Sequence, residues 1–248
     1  MKSFLLRAVA KQNPEQYITV DHLGTDLRRR SVRGGAVTIG NQAAKLLLTM
    51  GSTAIIARIL TPDDFGVIAM VLAIIGFIAI FKDLGLAMAT VQRNDISHRQ
   101  VSTLFWINVG VSLLIALIMA SMGPVLGWFY NEPRVVKVSL VLAGTIVFSG
   151  LTVQHQALLR RQMRFGAVAV VDISAVFIGF LTGVLCALAG MGYWSLVAIP
   201  MVRETVAMLG MWICCGWRPG KPVRSSGVRA LVSFGAHLTG FNIVNYFA

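Results

Sequence analysis

The basic residues of this chain fall almost wholly in the gaps between seven long apolar stretches, and that alternation limits its fold more than any other feature. The stretches cover residues 34–57, 65–81, 102–123, 135–153, 166–190, 193–215 and 231–248. A helix needs about 20 apolar residues to cross the roughly 30 Å hydrocarbon core of a bilayer, and most of these runs are of that length. Period-two alternation of apolar and polar residues is missing, which argues against a transmembrane β-barrel. Only 13% of the 248 residues are charged, against about 25% in a soluble domain, too few to clothe a water-exposed surface. The sequence therefore predicts an all-α, polytopic transmembrane helix bundle of about seven spans.

The formal net charge of +12 would suit a nucleic-acid binder only if the basic residues formed a continuous patch. They lie instead in short clusters between spans, the membrane pattern, and nucleic acid is not an expected partner. Assigning alternate loops to alternate sides gives 17 Lys and Arg on one side and 3 on the other, with Lys45 and Arg203 inside spans. By the positive-inside rule, this places the N-terminus in the cytoplasm. The expected organisation is a basic cytoplasmic segment (1–33), a six-helix lobe (34–215), a basic cytoplasmic linker (216–230) and the start of a second lobe (231–248). Residues 231–248 stay apolar to the last residue, with no interfacial ending, so the chain is expected to stop inside that second lobe.

Charges inside spans point to the function. Lysine at the bilayer centre costs roughly 2.5–3.5 kcal/mol on insertion scales, so Lys45 is expected to face a cavity or a partner. Thr38, Asn41, Gln42, Lys45, Thr49, Ser52 and Thr53 recur at helical spacing, making one polar stripe on the first span. Hydroxyls in such a stripe also serve helix packing, which explains the Ser and Thr but not the lysine. Arg203 and Glu204 occupy the centre of the sixth span. Two central cations suit an anionic headgroup such as a pyrophosphate, while Glu204 is either a structural ion-pair partner or a coupling group. Asp172 is expected to cap its helix or pair with the cluster Arg160, Arg161 and Arg164. That cluster belongs to a basic amphipathic segment, 154–165, expected to lie in the interface against lipid headgroups. Trp106, Trp128, Tyr130, Tyr193 and Trp217 read as interface aromatics.

Hydrolase, metalloprotease, P-loop and redox motifs are missing, and Cys186, Cys214 and Cys215 lack metal-ligand spacing. Neither an enzyme, a cofactor nor a metal is expected.

Several short motifs, taken in order, carry a family resemblance: Arg58 to Gly66 (RILTPDDFG), Asp83 to Leu86 (DLGL), Val91 to Arg93 (VQR), Ser102 to Asn108 (STLFWIN), Phe129 with Tyr130, Gln154 to Phe165 (QHQALLRRQMRF), Gly192 to Trp194 (GYW) and Trp217 to Gly220 (WRPG). Together they resemble the oligosaccharide flippases of the polysaccharide transporter family, the Wzx-like and colanic-acid-exporter-like group of the MOP superfamily. The resemblance implies a two-lobed bundle that moves an undecaprenyl-pyrophosphate-linked repeat unit between leaflets by alternating access. It implies a cationic cavity, for which Lys45, Arg203, Asn41 and Gln42 are the candidates. The implied partners are the lipid-linked oligosaccharide, membrane lipids, and a polysaccharide polymerase with other export proteins. A cation-coupled multidrug exporter of the same superfamily and a non-functional flippase fragment are the alternatives.

Overall fold

The computed structural model describes residues 27–82, 86–93 and 96–223, which form seven α-helices. They are α1 (Leu27–Ile56), α2 (Pro62–Lys82), α3 (Leu86–Gln92), α4 (His98–Phe129), α5 (Arg134–Arg161), α6 (Phe165–Leu188) and α7 (Trp194–Cys215). By length and composition, α4 to α7 are apolar enough to cross a membrane. The first two expected spans lie in α1 and α2. The stretch 231–248, residues 224–230 and Asp83 fall outside the described residues.

Two helical hairpins form the centre of the bundle, α4 with α5 and α6 with α7. Helix α7 also packs on α5, α1 packs on α6, and α2 lies against α5. Leu114, Leu117, Leu140, Val170, Leu185 and Ile213 point outward, each more than half exposed. An apolar exterior of this kind suits hydrocarbon rather than water.

Apolar surfaces gain little from meeting inside a lipid solvent, so helix contacts there rely on small residues that allow close approach. A Cβ at Gly179 would lie 2.9 Å from the carbonyl oxygen of Ile199, and one at Gly183 would strike the Ile199 side chain. The GxxxG of α6 is thus a seat for α7. In the other hairpin, a Cβ at Gly150 would collide with Ser112, and one at Gly127 would come within 2.7 Å of Val136.

Two helices run well past the C-terminal ends of their apolar stretches. The third stretch stops just before Pro124, yet α4 continues through the proline to Phe129. Pro124 removes one backbone donor near the helix end, where Gly123 and Gly127 keep the chain seated against α5. Helix α5 carries on past residue 153 to Arg161, burying Gln154, His155, Leu158 and Leu159. The segment 154–165 is therefore mostly the last turns of a core helix rather than an interfacial one.

Each end of the bundle is fastened by polar contacts between loops. At one end Arg134 grips Glu132 (2.9 and 2.7 Å), reaches Asp63 (2.9 Å) and lies over the Tyr193 ring, 5.8 Å from its centroid. The N-terminal ends of α2, α5 and α7 thereby meet. Thr61 and Asp64 cap α2: the Thr61 amide and hydroxyl donate to the Asp64 carboxylate at 3.2 and 2.7 Å, and the Asp64 amide lies 3.4 Å from the hydroxyl. At the opposite end Trp217, expected at the interface, is fully buried and donates to His98 Nδ1 at 3.0 Å. Trp106 Nε1 donates to the Gly220 carbonyl (2.8 Å), and the Gly220 amide donates to Ser102 Oγ (3.0 Å). These bonds strap the segment after α7 onto the start of α4.

Both the packing and the fastened ends can be tested. Gly183→Leu should destabilise the α6–α7 hairpin by about 2 kcal/mol, the usual range for overpacking. Gly110→Leu, which faces open space, should leave thermal melts in detergent nearly unchanged. Hydrogen bonds from Arg134 hold the Glu132 carboxyl down at about 2, from an ordinary 4.5. A lowered carboxyl contributes fully above pH 4.5 and loses that contribution as pH falls through about 2. Glu132→Gln should remove the acid sensitivity in that window, as read from melts across it.

Candidate functional site

A cleft of about 370 Å³ lies between α1, α5, α6 and α7. Helical spacing explains who lines it. Helix α1 supplies Lys45 and Thr49, and α5 supplies Ser149, Thr152, Gln156 and Arg160. Asp172, Ala175 and Val176 come from α6, and Arg203, Glu204, Ala207 and Met211 from α7. Each set steps by three or four residues, or by one across a shared face, so each helix turns a single stripe inward.

Three cations and two carboxylates share this cleft. Lys45 Nζ stands 3.4 Å from Asp172 Oδ2, and the same oxygen accepts from Asn41 Nδ2 at 3.2 Å. Arg203 Nη2 donates to Glu204 Oε1 at 2.9 Å, along one helix. Arg160 makes no ion pair among the described residues. The cleft is therefore a mixed-charge site with one cation in excess, not a wholly cationic one.

Lys45 and Arg203, each central in its own apolar stretch, do meet in one cleft. Asn41 is buried at its edge, bonded to Asp172, while Gln42 is exposed and does not line it. The hydroxyls of Thr38, Ser52 and Thr53 bond back to carbonyls of their own helix, as expected of packing groups.

The arginine cluster separates into three roles. Consecutive helical residues point about 100° apart, and here the side chains of Arg160 and Arg161 diverge. Arg160 faces the cleft. Arg161 is 7% exposed and donates to the carbonyls of Thr90, Val91 and Arg93, so its interfacial assignment is corrected. Arg164 donates to the Cys214 carbonyl at 3.0 Å, at the C-terminal end of α7. Asp172 pairs with Lys45 and not with this cluster. The reason is the parallel packing of α1 on α6: Gly34 sits on the Phe165 ring at their starts, and the long lysine side chain reaches back to Asp172 from further along. What sequence reasoning missed is the α5 stripe. Ser149, Thr152, Gln156 and Arg160 stand at spacings of three, four and four, a signal present in the chain all along.

The comparison with known proteins sets this cleft in context. A family model described as "Polysaccharide biosynthesis protein" matches residues 55–248, well over half of the chain. The chain belongs to that family. It is 25% identical over 226 residues to the lipopolysaccharide biosynthesis protein WzxC of Escherichia coli K12, covering 89% of this chain and 45% of that protein. It is 29% identical over 200 residues to the succinoglycan biosynthesis transport protein ExoT of Rhizobium meliloti, covering 77% and 39%. The teichuronic acid biosynthesis protein TuaB of Bacillus subtilis is 24% identical over 171 residues, covering 68% and 35%. The chain thus spans less than half the length of these relatives. No solved structure matches it.

Arg160, Asp172, Arg203 and Glu204 all lie within the stretch that matches the polysaccharide biosynthesis family, whereas Asn41 and Lys45 precede it. The fastened ends are built from family-resembling motifs: RILTPDDFG and GYW at one, STLFWIN and WRPG at the other.

Neighbouring arginines should respond oppositely to truncation. Arg161→Ala leaves buried carbonyls unpaired, at a cost of about 1–3 kcal/mol, and should lower the melting temperature and the yield of folded protein. Arg160→Ala should leave both unchanged.

Proposed function

We propose that this chain forms one lobe of a transporter that carries an undecaprenyl-pyrophosphate-linked oligosaccharide across the bacterial inner membrane. The observation that carries the reading is the cleft, where cations from three helices and a polar row on α5 converge within an apolar-faced bundle. A sugar pyrophosphate has no path through hydrocarbon unless protein supplies one. Lys45, Arg160 and Arg203 would meet its phosphate charge. Ser149 and Gln156 offer hydrogen bonds of the kind that sugar hydroxyls make. The cleft is of a size suited to a small polar headgroup, and the outward apolar faces leave the lipid tail a place in the bilayer. Names of the relatives, which speak of lipopolysaccharide, succinoglycan and teichuronic acid biosynthesis, support a polysaccharide substrate.

In this reading residues 34–215 make the first lobe with the N-terminus in the cytoplasm, and the basic linker 216–230 leads to a second. No bond is made or broken; the protein binds, orients and releases. A polymerase and other export proteins would act on the delivered unit.

Complementation tests the proposal. A flippase-null strain should regain surface polysaccharide when given this chain extended through its downstream reading frame. Combined Lys45→Ala and Arg203→Ala should cut export by about tenfold or more at equal protein level, since each 1.4 kcal/mol of lost binding is tenfold. Failure of a well-expressed extended chain in several sugar backgrounds would sink the flippase reading. Full export without both cations would sink the site.

A further inference from the structure

The two carboxylates of the cleft are placed differently. Glu204 follows Arg203 in sequence and bonds it at 2.9 Å, so that pair moves as one piece of α7. Asp172 belongs to α6 and meets Lys45 of α1 across a helix interface at 3.4 Å. Charge-assisted N–H···O bonds ordinarily close to about 2.7–2.9 Å, so this contact is loose. Both side chains keep access to the cleft, at 32% exposure for Lys45 and 16% for Asp172. Lysine is a point charge with three rotatable donors, able to turn from one acceptor to another without moving its helix. Asn41 donates to the same Asp172 oxygen at 3.2 Å and would go on holding it if Lys45 turned away.

We propose that Asp172 is a resident counter-anion that competes with the transported phosphate for Lys45. This rests on the anion-binding reading of the cleft. In the empty state Asp172 occupies the Lys45 subsite, so the lysine is not left uncompensated at membrane depth. An incoming phosphate group, drawn by Arg160, takes over Lys45, and Asp172 stays with Asn41. The competition lowers affinity, and that serves a carrier: a site must bind well enough to load and weakly enough to release. Departure of the phosphate is helped because Asp172 returns to the lysine. The exchange also loosens a charged link between α1 and α6 whenever the cleft is loaded, tying occupancy to the freedom of α1.

The test is binding to the purified chain in detergent micelles, with inorganic pyrophosphate and a short prenyl pyrophosphate as separate probes. Asp172→Asn keeps the shape and the acceptor for Asn41 while removing the charge. It should tighten phosphate binding roughly tenfold, the scale of one removed competing ion pair. Lys45→Gln should abolish that gain in the double variant. A response with both probes assigns the effect to the phosphate itself, and a response with the prenyl probe alone assigns it to the lipid-linked form. An Asp172→Asn affinity that is unchanged or weaker, in folded and monodisperse protein, overturns the counter-anion role. Failure of both Asp172→Asn and Asp172→Ser to fold overturns it too, because the carboxylate would then be a fixed part of the fold rather than an exchangeable ion. If neither probe binds wild type or variant, the anion-binding reading falls, and this inference with it. If wild type binds through Lys45 but is indifferent to Asp172, only the inference falls.

Discussion

A polar group that enters hydrocarbon must bring its partner with it, because no water is there to supply one. For the backbone this requirement leaves helices, and the described residues fold into them with few loops. For side chains, three solutions stand out among the described residues. Hydroxyls such as Thr38 and Thr205 bond back to carbonyls one turn earlier. Arg161 spends its guanidinium on main-chain oxygens. Lys45 and Arg203 each keep a carboxylate at hand.

The same constraint separates the ends of the bundle from its middle. At the ends, where water and headgroups begin, polar contacts are short and join distant loops: Arg134 gathers three helix starts, and Trp217 with Gly220 binds the chain after α7 to the start of α4. In the middle, glycine seats hold α6 on α7 and α4 on α5 by shape. The cleft is the exception, a polar region within the span of the helices. Fastened ends and close-packed hairpins position its four stripes while leaving α1 held mainly by α6. A cleft lined by α5, the α6–α7 hairpin and one more lightly attached helix, α1, is suited to change shape.

Much of this was legible in the chain. The alternation of apolar runs with Lys and Arg points to the class, and to an expected orientation, without any structure, because the bilayer reads length and charge directly. Lys45 and Arg203 stand out for the same reason: a charge inside a span needs an explanation wherever it sits. The family-resembling motifs are legible as words, but their use is not. RILTPDDFG and GYW lie more than a hundred residues apart, and only folding brings Asp63 and Tyr193 to the same arginine.

What the sequence determined by itself is therefore the solvent of this protein, the helical class, and which residues are out of place in that solvent. The tertiary structure decided how those residues are paired. Asp172 could have answered the nearby arginines around the α5–α6 turn; the parallel seating of α1 on α6 gives it to Lys45 instead. Arg160, Arg161 and Arg164 read as one basic cluster, yet helix rotation sends them to a cleft, a buried carbonyl cage and a helix end. Hydropathy and charge act residue by residue and can be read from a string. Pairing depends on which helices touch and at what register, a property that exists only once the bundle has formed.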